Sequence, residues 1–440
     1  MIQANDITTN RKNLKDETKT SSFLNLIGVK TLPVFLTFFV WGIGSGAQTL
    51  ARPLFAYSLG GSVFLVGFLL SFNALSSGVA GPVTGFVTDR WGRKPLLIAG
   101  SFIRSAVAAL EFFCTSYEQF FVLEFIGGIG VSMWTTSSNV LIADLSDPSN
   151  RGRAVALRGT SMRLGTILGP LSGGLLAAVF GLRAMFLVNS ISKAIVCVAT
   201  LFLIAESRPE PKTTGDSKDN SQTSKLDLSF FASRAFLVLA FTTFGVSMMG
   251  AGVFHILFPL YSQKEILLSI ADVGFLISAS GLVALLVSFP NGMFVDRFGR
   301  KKSLVPGLLL LVVSVLMLNS SDSYGDIFLM AMVYGVAAAM CMGATQTYAM
   351  DLAPEDRRGA FLGIWSLFTH TGGMFATLMS GIVVDSMGFS AAFLGVGGWL
   401  AVATVLLILF GPETGPRQAN RSTQRAAAST TPPGESAENP

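Results

Sequence analysis

The chain has 440 residues, of which 51% are hydrophobic and only 13% charged. That is about half the ~25% charge usual in soluble domains, so the composition rules out a string of soluble domains and leaves a polytopic membrane protein. The net charge of +5 accompanies long apolar runs, so it reads as a topological signal and no nucleic-acid partner is expected. Two His and three Cys are too few for a zinc cluster or a disulfide framework, so no metal and no cofactor is expected either.

Residues 1–31 are polar and carry Arg11, Lys12, Lys15 and Lys19, with no apolar core of a cleaved signal, and are read as a cytoplasmic tail. Twelve apolar runs follow: Leu32–Ala51, Val63–Val87, Pro95–Cys114, Gln119–Ala143, Ala154–Phe180, Ala184–Ala205, Ala235–Leu260, Val273–Val295, Leu304–Leu318, Ile327–Met350, Ala360–Val384 and Ala391–Phe410. Most are long enough to cross a ~30 Å hydrocarbon core as helices at ~1.5 Å per residue. None shows the strict alternation of a barrel strand. The expected fold class is therefore all-α, a polytopic membrane protein with twelve transmembrane helices. The expected domains are a six-helix bundle over 32–205, a cytoplasmic linker over 206–234, a second six-helix bundle over 235–411 and a disordered tail over 412–440.

Lys and Arg set the orientation. With the N-terminus inside, 25 of the 31 fall in cytoplasmic segments; Arg52, Arg183 and Lys264 fall outside, and Arg104, Arg163 and Lys193 lie within helices. Both termini are thus expected in the cytoplasm of a cell (inner or plasma) membrane.

Shifting the chain by 207 residues aligns its halves without a gap from Val66 to Gly181. Asp89-Arg90 falls on Asp296-Arg297, Gly92-Arg93-Lys94 on Gly299-Arg300-Lys301, and Asp144-Leu145 on Asp351-Leu352. Six helices is an even number, so both halves enter from the same side, the parallel type of repeat.

The loop after the second run, Gly85-Phe-Val-Thr-Asp89-Arg90-Trp-Gly92-Arg93-Lys94, and its copy from Gly292 to Lys301, with Asp296, Arg297, Gly299 and Arg300, resemble the signature loop of the major facilitator superfamily. On the residues alone, Gly85 permits close helix approach. Asp89 at a helix C-terminus is disfavoured by the helix dipole and needs a partner, for which Arg93 is the nearest candidate. The resemblance adds a gate-latch role for Asp89 and, less strongly, for Asp296. Asp144 and Asp351 stand where family loops cross-link helix ends on the cytoplasmic face.

The fifth run holds Gly165-Thr-Ile-Leu-Gly169-Pro170-Leu-Ser-Gly173-Gly174. Gly165, Gly169 and Gly173 line one helix face and permit close packing, and Pro170 bends the helix. In the family this pattern marks drug and metabolite antiporters, which implies proton-coupled efflux. In one place the chain departs from that family: the helix-4 frame that often begins with Arg reads Glu124-Phe-Ile-Gly127-Gly128-Ile-Gly130.

Charges at membrane depth are functional hypotheses by default. Arg104 and Arg163 both lie ~14 Å from the cytoplasmic helix ends, and Glu124 is ~9 Å in from Glu118. The resemblance makes helices 3 and 6 peripheral, which favours Arg163 and Glu124 as cavity residues over Arg104 and Lys193. Arg163 maps onto His370 and Gln48 onto His255, so these four occupy matched positions of the two halves; His255 and His370 are equally well read as packing residues. Glu124, partly desolvated and with Glu111 at a similar depth, is expected to load a proton from outside and release it inside. The function expected is alternating-access transport of a small-molecule substrate by a monomer in the lipid bilayer, with protons as the coupling ion and efflux as the direction. Import of a small organic anion or sugar is the alternative, and a membrane-embedded receptor or enzyme a distant third. No Walker loop points to ATP.

Overall fold

The computed structural model describes residues 32–144, 151–204, 206, 233–353 and 358–414. Among these, twelve helices are long and apolar enough to span a membrane. They are α1 (Leu32–Gly60), α2 (Val63–Trp91), α3 (Arg93–Phe113), α4 (Tyr117–Asp144), α5 (Arg151–Phe180) and α6 (Ala184–Leu203). The second set is α7 (Arg234–Lys264), α8 (Ile270–Phe298), α9 (Lys301–Asn319), α10 (Tyr324–Leu352), α11 (Arg358–Met387) and α12 (Phe389–Phe410). In hydrocarbon every backbone polar group must be paired within the segment, which a helix does and an open strand does not.

Local chemistry sets the helix ends. Ser62 caps α2 by accepting from the Leu65 amide at 3.3 Å, Ser233 caps α7 in the same way, and Ser323 with Asp326 forms a capping box at α10. Gly92 (φ +97°) and Gly299 (φ +106°) make the tight turns into α3 and α9 in a conformation that an L side chain resists. Helix α7 is not uniform: Met248–Leu257, which holds His255, is wound as π-helix. Nothing in the apolar run over these residues distinguishes this winding from an α-helix.

The chain divides into two compact units, residues 1–219 with 268–278, and 220–267 with 279–440. The first has an aromatic core. Trp41 and Trp134 stack at 3.8 Å and Phe38 meets Trp134 edge-on, while Phe55, Phe120 and Phe186 form a second cluster. The second unit buries Phe236 against Phe361 and stacks Phe254 on Tyr334 at 3.8 Å.

Within the first unit, α1 and α5 approach through glycine. A Cβ at Gly165 would meet the Phe39 carbonyl and Gly42, and one at Gly169 would meet Ile43, Gly46 and Ala47. Gly173 faces Ala47, and Gly174 faces Ile270 and Gly274, which belong to the first turns of α8 that cluster with this unit. Pro170 lies inside α5 without ending it. Gly85 differs from its expectation: a Cβ there would have open space, so it serves no close approach.

Candidate functional site

A cluster of buried charges occupies the middle of the first unit. Glu124 of α4, fully buried, is its centre. Its Oε1 accepts from Arg52 Nε at 2.7 Å, from Gln48 Nε2 at 2.9 Å and from Arg104 Nη2 at 3.5 Å. Its Oε2 accepts from Asn73 Nδ2 at 2.8 Å, and the same amide reaches the Glu124 carbonyl at 2.7 Å. Glu111 of α3 is also fully buried and accepts from Arg104 at 3.1 and 3.4 Å. Asn189 of α6 donates to Gln48 at 3.0 Å and extends the network across a fifth helix.

The sequence explains why these groups can meet. Gln48 and Arg52 are four residues apart and so share a face of α1. On α3, Arg104 and Glu111 are two turns apart on one stripe. On α4, Gly127 supplies space: a Cβ there would overlap Arg104 Nη1. Gly128 likewise leaves room for Ser76. Gly127 of the altered helix-4 frame therefore gives a guanidinium from α3 the room it needs beside Glu124.

Lys193 of α6, also buried, is held differently. Its ammonium donates to the Trp41 carbonyl at 2.6 Å and to Ser45 Oγ at 2.8 Å, and sits 3.8 Å over the Trp41 ring. Among the described residues no carboxylate lies within ion-pair range of it. The Trp41–Trp134 stack thus offers a π face to a cation.

Several expected residues sit elsewhere. Arg163 is exposed, and its guanidinium has no partner among the described residues; it does not pair with Glu124. His255 is exposed and meets Phe254 edge-on, and His370 is exposed as well. Arg104, expected at the periphery, is fully buried and bridges both acids. Arg52, assigned to the outer loop because the first apolar run stops at Ala51, lies inside α1, which continues to Gly60. Asn73 and Asn189 were missed because a neutral amide leaves no mark in an apolar run. An apolar groove of about 440 Å³, lined by Leu75, Val79, Phe125 and Met133 among others, opens between α2, α3 and α4 and is lined by none of the charged groups.

The loops form a second, duplicated site. Arg93 Nε donates to Asp144 Oδ2 at 2.8 Å, and Arg300 pairs with Asp351 at 2.7 Å. Arg93 therefore serves Asp144; the side chain of Asp89 lies outside the described residues, as do residues 145–150. Arg90, Asp296 and Arg297 are exposed. Glu206 accepts from the amides of Arg93 and Lys94 at 2.9 and 3.4 Å, and Glu413 from the amide of Lys301 at 3.2 Å. Each acid caps the N-terminus of a helix, where the dipole favours an anion. Both stand at the start of stretches assigned to linker and tail, yet they obey the same offset of 207 residues.

Known proteins resemble the whole assembly. The profile of the Major Facilitator Superfamily matches residues 34–266 and 241–435. Multidrug resistance protein 2 of Bacillus subtilis (strain 168) is 24% identical over 366 residues, 81% of this chain and 89% of its own. Multidrug resistance protein MdtG of Escherichia coli O9:H4 (strain HS) is 27% identical over 343 residues, 76% of this chain and 81% of its own. The crystal structure of a D-xylose-proton symporter superposes with a TM-score of 0.71 over 87% of this chain and 97% of that one, at 19% identity.

Proposed function

The chain belongs to the Major Facilitator Superfamily, and we propose that it exports a small molecule across the cell membrane in exchange for protons, as a monomer with both termini in the cytoplasm. It is a multi-pass membrane transporter, not an enzyme. Efflux is supported by the relatives, among them the multidrug resistance efflux pump PmrA of Streptococcus pneumoniae serotype 4.

Proton coupling rests on one observation. The first unit holds the buried Arg104, Glu111 and Glu124 and the half-buried Arg52 in a single network, while the α9 and α10 positions equivalent to the three buried charges are the buried Leu311, Leu318 and Ala331. The helical hairpin thus closes with apolar residues at the three positions that carry the charges in the first unit. Buried ion pairs add little stability over apolar replacements, so the charges serve a task other than folding. Carboxylates shared between arginines can take up a proton and rearrange their partners, which is what coupling needs. Arg163, a cation with no described partner, favours substrates that carry an acidic group.

Two experiments test this reading. Compounds are first chosen by growth tests on expressing and null cells. Everted vesicles holding an acid-inside gradient then receive each compound; antiport discharges the gradient, and no response to any of the compounds contradicts it. Uptake into right-side-out vesicles driven by an inward proton gradient would mean import instead. Orientation is read from single cysteines: one at Ser217 must react only from the cytoplasm, and one at Thr115, exposed between α3 and α4, only from outside.

A further inference from the structure

On the premise of proton antiport, we infer that the proton is carried by Glu111 of α3, and that Glu124 is a permanently ionised clamp. The two acids share Arg104 but differ in everything else around them. Glu124 accepts from four side chains, Gln48 and Arg52 of α1, Asn73 of α2 and Arg104 of α3. A proton on either of its oxygens would point at a donor, and would leave two guanidinium groups with a single carboxylate between them. Glu111 has Arg104 as its one side-chain donor, through two longer bonds of 3.1 and 3.4 Å. Arg104 Nη2 bonds both carboxyls, Glu111 Oε2 at 3.4 Å and Glu124 Oε1 at 3.5 Å, so the two acids lie side by side. A proton on Glu111 therefore finds an acceptor at once.

Position favours the same residue. Glu111 stands two residues from the end of α3 at Phe113, ~3 Å along the axis. Glu124 is seven residues into α4, ~10 Å by the same rise. At the α3–α4 turn the Arg183 guanidinium holds the carbonyls of Phe112 and Cys114, at 3.4 and 2.9 Å. A proton arriving from water at this turn meets Glu111 first.

The step balances simply. A proton adds to one Glu111 oxygen, and that oxygen stops accepting from Arg104 and donates to Glu124. Arg104 keeps its charge and its bond to Glu124. The group of Arg52, Arg104, Glu111 and Glu124 passes from neutral to a net positive charge. The other charged groups packed nearby among the described residues are both cationic, Lys193 of α6 and Arg183 at the α3–α4 turn; α2 contributes the neutral Asn73. An uncompensated positive charge at this depth is costly, so protonation biases the unit toward a conformation that relieves it, and release of the proton on the other side resets it.

The test uses the full chain in proteoliposomes. Wild type must first show substrate-driven proton movement; if it does not, the antiport reading fails and the question of Glu111 falls with it. Where wild type couples, Glu111→Gln is expected to lose proton movement entirely while substrate-for-substrate exchange continues at the wild-type rate. Glu111→Asp keeps a carboxyl and must keep the coupling. In infrared difference spectra recorded across a pH step, the protonated-carboxyl C=O band must shift in Glu111→Asp and must still be present in Glu124→Gln. Proton movement retained by a folded Glu111→Gln protein overturns the inference. So does loss of exchange along with coupling, which would make Glu111 structural. If Glu111→Gln does not fold, the infrared comparison decides alone: a band unmoved in Glu111→Asp refutes the assignment.

Discussion

The two halves of this chain share a topology and a loop chemistry but not an interior. At the 207-residue offset the loop ion pairs recur, Arg93–Asp144 as Arg300–Asp351, and so do the capping acids Glu206 and Glu413. Inside the bundles the correspondence ends. Arg104, Glu111 and Glu124 face Leu311, Leu318 and Ala331 across the alignment, Lys193 faces Leu400, and Arg52 faces Pro259. All five counterparts are buried and apolar. The loops do a task that both halves need, whereas the charge network does one that a single half performs.

The largest expected effect comes from breaking the network at its centre. Glu124→Ala leaves Arg52 and Arg104 sharing only Glu111, and removing one partner of a buried ionic cluster costs about 3–5 kcal/mol. Thermal unfolding of the purified protein should show a large loss of stability that no substitution at Ala331 produces by loss of charge.

Gly127→Ala sharpens the comparison from the packing side. The added methyl overlaps the Arg104 guanidinium, and overpacking of this kind costs about 1–3 kcal/mol. At the matched position the second half carries Tyr334, half-buried and stacked on Phe254, so bulk is accepted where no guanidinium crosses. Unfolding temperature and proton coupling should both fall in Gly127→Ala.

Much of this was legible in advance. Twelve helices, the repeat and the loop motifs follow from apolar run length and from pairs such as Asp89-Arg90 and Asp296-Arg297. The membership of the network was not. Arg52 falls just past the first apolar run, which stops at Ala51, and so counts as outside on the sequence; the buried Glu124 carboxylate is what makes it tolerable inside α1. Arg104 looked peripheral because helical spacing says which residues share a face, not which face a neighbour occupies. Glu206 and Glu413 were hidden by the polar stretches that follow them, although extending the repeat alignment past Gly181 would have paired them.

Smaller effects are expected at the loops. Asp89→Asn should preserve expression and cut transport several-fold, since a charge at a conformational latch acts on switching and not on the core; Asp296→Asn should be milder. Equal rates in initial-flux assays for Asp89→Asn and wild type would remove the latch. Smallest is Arg163→Gln, which should raise the apparent KM for an anionic substrate and leave that for a neutral one unchanged.

The central claim is that the ionic interior of the first half exists for coupling and not for folding. The double variant Arg104→Leu with Glu111→Leu gives the first half the residues that the second already has at Leu311 and Leu318, and keeps Arg52 paired with Glu124. Substrate-driven proton movement in proteoliposomes is the decisive measurement. The account predicts a protein that unfolds no earlier than wild type and moves no protons. A folded double variant that still moves protons with substrate at the wild-type ratio would contradict it.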